Sequence, residues 1–83
     1  MKATIRQILA EVARLDVSVE ALDDQADLYE AGLSSLATVH VMLAIENAFN
    51  IEIPDAMLTR QLFRSVNSLA AAAEQLRQQQ EAA

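Results

Sequence analysis

Residues 3–15 place Ile5, Ile8, Leu9, Val12 and Leu15 three or four positions apart, with Lys2, Arg6, Glu11 and Arg14 mainly on the other side. That spacing gathers the apolar side chains into one stripe and predicts a first helix, started by Thr4 or Ala3. Residues 16–34 lose the period. Val17, Val19, Leu22, Leu28, Tyr29 and Leu33 are scattered among acids, and Gly32 punctuates them. An aperiodic stretch of this length in a small domain is functional or packs through its own side chains, so a packed loop with a turn of helix is expected. Residues 35–50 carry the strongest signal: Leu36, Val39 and Leu43 form one stripe, and Val41, Met42, Ile45 and Phe49 extend it around the girth. Such a helix is central to a core or keeps apolar surface for a partner. Ser34 suits its N-cap and Asn50 its end. Pro54 biases Ile53 away from helical angles, so residues 51–54 read as extended. Residues 56–62 predict a short helix, and Ser65 or Asn67 would cap a last one through Leu69, Ala72, Ala73 and Leu76. The terminal residues 78–83 have nothing to bury and are expected to fray, leaving a domain of residues 1–77.

Composition narrows this picture. Eighty-three residues bury one modest core and leave no room for a deep enzyme cleft. Apolar residues make up 53% and aromatics only 4%, which favours helices packed through aliphatic side chains. With no cysteine, neither a disulfide nor a Cys-ligated metal is available, and any thiol must be added after synthesis. No apolar run approaches the roughly 18 residues of a membrane span. Polar residues interrupt the N-terminus too early for a signal peptide, so a cytoplasmic location is expected. The net charge is −6, and nine of the twelve acids lie between Arg14 and Arg60, where there is no Lys or Arg. That field repels nucleic acid and anionic lipid and draws basic protein surfaces.

Catalytic chemistry is hard to assemble. His40 is the only histidine and has no acid three or four positions away, so no nucleophile–base–acid network forms. It reads as an ordinary surface or boundary residue. Asp23-Asp24 reads as a pair of solvated loop charges, and no spacing matches a calcium or phosphate-binding loop. No metal and no enzymatic activity are expected. Ser35 differs by its place: it follows a Gly-containing loop and opens a helix, so its hydroxyl should be exposed. A phosphate there would face free N–H groups at the positive helix end, worth roughly 0.3–1 kcal/mol. Helix-start logic alone favours Ser34 and Ser35 as simple caps.

The run Asp27-Leu28-Tyr29-Glu30-Ala31-Gly32-Leu33-Ser34-Ser35-Leu36, followed by Glu46-Asn47-Ala48-Phe49-Asn50-Ile51-Glu52-Ile53-Pro54-Asp55, closely resembles the acyl carrier protein family. Ser35-Leu36 matches the Ser-Leu of that family's Asp-Ser-Leu motif. Pro54 fits its Ile-Pro-Asp step nineteen residues later, with Glu46 and Phe49 in register between them. The resemblance implies an all-α fold, an antiparallel four-helix bundle with a long loop between helices one and two. It also implies a 4′-phosphopantetheine joined to Ser35, installed by a phosphopantetheinyl transferase, which supplies the missing thiol. Such a domain performs no chemistry. It presents a thioester to partner enzymes through the loop, helix two and the short helix, here with Leu36, Val39, Leu43 and Glu46 as the expected partner-binding residues.

Two departures narrow the role. Ser34 stands where the family usually has Asp; Leu36 and the distance to Pro54 select Ser35 for the arm and leave Ser34 as the cap. Helix two keeps only Glu46 where fatty-acid carriers are studded with acids, and Arg60 and Arg64 follow the short helix. Rim charges set association rate and partner choice, so apolar contacts should dominate here and general fatty-acid synthesis is not the expected role. The stretch Ala26 to Ser35 is similar to bacterial aminoacyl carrier proteins, loaded by stand-alone ligases related to seryl-tRNA synthetases. An amino acid cargo, such a ligase, downstream aminoacyl-using enzymes and a monomeric state are therefore expected. The alternatives are a carrier of fatty-acid or polyketide-type intermediates, whose chain would be surrounded by Met42, Ile45, Phe49 and Leu62, and a helical adaptor that carries no arm.

Overall fold

A computed structural model describes residues 1–81, and among these all regular structure is helical. Helix α1 runs Lys2–Ile8 and continues as a π-helical turn over Leu9–Ala13, ended by Arg14 in the left-handed region (φ 51°, ψ 50°). Helix α2 spans Ser35–Phe49 and α3 spans Val66–Glu81. The π turn adjusts the stripe expected for helix one. Ile5, Ile8 and Leu9 are buried as the spacing predicts, but the next buried position is Ala13, while Val12 and Leu15 are only partly covered. A π turn closes i to i+5 and advances the buried face by more residues per turn than an α-helix does, so it carries Val12 off the core line.

Helix α2 buries a single line, Ala37, Val41 and Ile45, at intervals of four. Leu36, Val39 and Leu43 remain 68%, 47% and 49% exposed. Asn50 closes the helix in the left-handed region (φ 53°), which Asn tolerates better than most residues, and both its N–H and that of Ile51 donate to the Glu46 carbonyl. Residues 51–54 then leave the helix without regular structure, with Ile51 and Ile53 buried and Pro54 extended (φ −63°, ψ 148°). The Ile53 N–H donates to Glu46 Oε2 (2.9 Å), and the Gln80 amide pairs with both backbone groups of Glu52 (3.0 and 2.9 Å). Gln78 to Glu81 therefore continue α3; residues 82–83 of the expected tail lie outside the described residues.

The short helix expected over 56–62 is a 3-10 turn at Asp55–Met57, ended by Leu58 (φ −80°, ψ 72°), followed by turns through residue 63. Leu62 and Phe63 bury their side chains from this irregular stretch. Of the two caps expected for α3, Ser65 is the one used. Its Oγ accepts from the Ser68 N–H (3.0 Å), and Ser68 Oγ accepts from the Ser65 N–H (3.0 Å), a reciprocal capping arrangement.

Residues 14–34 connect α1 to α2 with one 3-10 turn, Val19–Ala21. They pack through Val19, Leu28, Ala31 and Leu33, all buried. Leu28 is fully buried, and its N–H donates to the Arg64 carbonyl (2.7 Å). Asp27 Oδ1 accepts from the Tyr29 N–H (2.9 Å) and shapes the turn that follows. At Gly32 the chain adopts φ +109°, and a Cβ there would lie 2.5 Å from Asp16 Oδ2. Both the backbone angle and the space require glycine.

Asp24 ties this connection to α1. Arg6 Nη2 reaches Asp24 Oδ1 (2.6 Å), Lys2 Nζ reaches Oδ2 (3.1 Å), and Arg6 Nη1 donates to the Val19 carbonyl (2.8 Å). The Arg6 hydrogen bond, seconded by Lys2, holds the Asp24 carboxyl below its ordinary value of 3.8. A lowered folded-state pKa contributes stability that is present above the unfolded value and is lost as pH falls through the folded one. Denaturation at a series of pH values should therefore show the wild type losing its advantage over Asp24→Asn as pH drops below 3.8. A pH-independent difference between the two would contradict the assignment.

Candidate functional site

The start of α2 is fixed from both sides. Leu33 and Ala37 are buried, so the residues between them are held at the surface. Ser34 is extended (φ −90°, ψ 165°); its Oγ accepts from the Ala37 N–H (3.1 Å) and its carbonyl accepts from Thr38 (3.0 Å). Ser34 is thus the cap, as its position predicts. Ser35, the first helical residue, is exposed, and among the described residues its hydroxyl makes no hydrogen bond; only its carbonyl is engaged, by Thr38 Oγ1 (2.6 Å). The N–H groups of Ser35 and Leu36 precede any carbonyl one turn back within the helix and point out at its end. Ser35 therefore presents a solvated primary hydroxyl, and among the described residues no base is hydrogen-bonded to it.

Leu36, Val39 and Leu43 form an exposed apolar strip that begins at the residue after Ser35. The helix carries no formal charge before Glu46, so nothing along this strip demands an ionic partner. Glu46, also among the expected partner-binding residues, accepts at Oε2 from the Ile53 N–H (2.9 Å) and so organises the end of its own helix. His40 is exposed, and among the described residues no group of three or more His, Asp or Glu side chains is placed to hold a metal ion. No helix among them is long and apolar enough to cross a membrane.

The four residues expected around an acyl chain lie on the core side of α2 and beyond. Ile45 and Leu62 are buried, and Met42 and Phe49 pack partly covered against the core. Arg60 lies over the Tyr29 ring (3.9 Å to the centroid), the Tyr29 hydroxyl donates to the Arg60 carbonyl (3.2 Å), and Arg64 Nε stands 3.9 Å from Asp27 Oδ2. These contacts join the connection before α2 to the stretch before α3. Sequence reasoning missed a cleft beside the start of α2, to which helix one contributes Val12, Ala13 and Arg14. No sequence signal marks it, because Arg is not a residue that favours the left-handed region and nothing in the periodicity announces a π turn.

Comparison with known proteins agrees with this geometry. Residues 3–73 match the family described as "Phosphopantetheine attachment site". An aminoacyl carrier protein of Agrobacterium fabrum is 52% identical over 69 residues, covering 83% of each chain. A D-alanyl carrier protein of Streptococcus suis is 36% identical over 70 residues, covering 83% of this chain and 85% of its own. Among solved structures, a chain in the complex of an engineered Bradyrhizobium japonicum glycine:[carrier protein] ligase with a carrier protein from Agrobacterium tumefaciens and AMP superposes with a TM-score of 0.86. It is 49% identical, over 89% of this chain and 99% of that one. A chain in the complex of the Bradyrhizobium japonicum ligase with glycylated carrier protein gives 0.74 at 27% identity, over 86% and 95% of the two chains.

Proposed function

The chain belongs to the phosphopantetheine-attachment family of carrier proteins, and on that premise we propose that Ser35 holds the arm and that the cargo is a small amino acid. The observation that carries the reading is the exposed, unbonded Ser35 hydroxyl at the head of α2, beside a serine already committed to capping. The surroundings suit a phosphodiester. Thr38 is spent on the Ser35 carbonyl, no carboxylate is bonded at the site, and the open N–H groups of the first turn favour an anion. When bound, the arm supplies the thiol that this cysteine-free chain lacks. The chain's own part is to fix the attachment point, keep it solvated and offer the apolar strip of Leu36, Val39 and Leu43 to the enzymes that act on the cargo.

A small amino acid is favoured over a fatty-acyl chain on two grounds. The proteins this chain resembles include aminoacyl and D-alanyl carriers and chains bound to a glycine ligase. Its α2 also lacks the acids that would steer it to basic patches before Glu46. The loading partner in this reading is a stand-alone amino acid ligase of the seryl-tRNA-synthetase-like kind, after a phosphopantetheinyl transferase has acted. The Asp55–Met57 turn and the turns after it stand in for the short third helix of a four-helix carrier, and the protein works as a cytoplasmic monomer without catalysis of its own.

Incubating the arm-bearing protein with ATP, a panel of amino acids and such a ligase, then weighing it intact, tests the cargo. A mass increase with glycine or alanine is the expected result. No aminoacylated species, alongside ready malonyl or fatty-acyl loading, would overturn it.

A further inference from the structure

Between the π-helical end of helix one and the first two turns of α2 lies a cleft of about 460 Å³. Its walls include Val12, Ala13, Leu36 and Ala37, and it is completed by the polar groups of Ser34 and His40, by Gly32 and by Arg14. The cleft exists because helix one widens into a π turn and then breaks at the left-handed Arg14. Arg14 is exposed and, among the described residues, makes no ion pair. Asp16, two residues further along the chain, packs its carboxylate against Gly32 and is not among the lining residues.

Two of the lining residues, Ser34 and Leu36, flank Ser35 in the chain. Any arm hinged at Ser35 therefore starts within reach of this cleft. Its phosphodiester is the kind of anion a guanidinium binds through paired N–H groups. Its branched apolar segment matches the Val12 and Leu36 walls, and its amides match Ser34 and His40. Tethering raises the local concentration of such a group to the millimolar range, so a contact too weak to hold free pantetheine is populated once the arm is attached.

We infer that this cleft is a resting dock for the protein's own phosphopantetheine arm, with Arg14 facing the phosphate; the inference rests on attachment at Ser35. Leu36 belongs both to the cleft wall and to the exposed strip that faces partners. A partner that covers the strip takes Leu36 from the dock, so docking to an enzyme and release of the arm are coupled through one side chain.

The test compares isotope-labelled protein without and with an unlabelled arm, by amide shifts and by filtered NOEs from the arm's methyl groups, after intact mass has verified loading. Expected are shifts at residues 12–14, 32 and 40 and NOEs to Val12, Ala13 and Leu36. Arg14→Asn removes the cation while suiting the left-handed backbone, and it should erase most of those shifts without changing the mass gain. Loading on Ser35 with perturbations confined to residues 33–38, and no NOE to helix one, overturns the dock alone. Failure to load Ser35 overturns the attachment reading and the dock with it.

Discussion

Ser35→Ala abolishes the gain of one phosphopantetheine when the folded chain is coexpressed with a phosphopantetheinyl transferase, while Ser34→Ala retains it. The loss should be complete, because alanine offers no oxygen to carry the phosphodiester. The two variants separate chemistry from capping. Ser35 Oγ is exposed and bonds to nothing within the described residues, so its removal should change stability by no more than about 0.5 kcal/mol. Ser34 Oγ accepts from the Ala37 N–H, and losing that cap costs about 1 kcal/mol. Intact mass reads the first effect and denaturant melts read the second. Modification surviving in Ser35→Ala, or vanishing in Ser34→Ala with the fold intact, would place the arm elsewhere.

Leu28→Ala is expected to destabilise the chain by about 2–5 kcal/mol, the range for deleting a fully buried leucine side chain. At about 0.05–0.15 kcal/mol per residue, a domain of this size has only a handful of kcal/mol to lose, so the variant should melt far earlier or fail to fold. The expectation is specific because Leu28 sits outside every helix. Its side chain enters the core and its N–H bonds to the Arg64 carbonyl, so it fastens the connection before α2 to the stretch before α3. Val17→Ala, in the same connection but 46% exposed, should stay within about 0.5 kcal/mol. Equal effects from the two substitutions would show that the connection is not part of the core.

Much of the frame was legible in the residues because its signals are local. Apolar spacing located the three long helices, Ser34 and Asn50 marked the ends of α2, and Pro54 marked the extended step after it. The structural contact of Glu46 was not legible, for the opposite reason. On a helical wheel it reads as a solvated acid, but the chain returns after Asn50 and brings the Ile53 N–H to its carboxylate. Phe63 shows the same limit, since a side chain in an irregular stretch has no period to betray that it is buried.

The sequence by itself determined the three main helical segments and that α2 begins at the pair Ser34-Ser35. Those properties depend on residues within a turn or two of one another, so propensity, capping and apolar spacing specify them. Tertiary structure alone decided that Leu36, Val39 and Leu43 stay uncovered while Val41 and Ile45 are buried, and that helix one ends in a π turn beside the start of α2. Which face of an all-round apolar helix is buried depends on how much surface its neighbours can cover, and that is settled only when distant parts of the chain pack together.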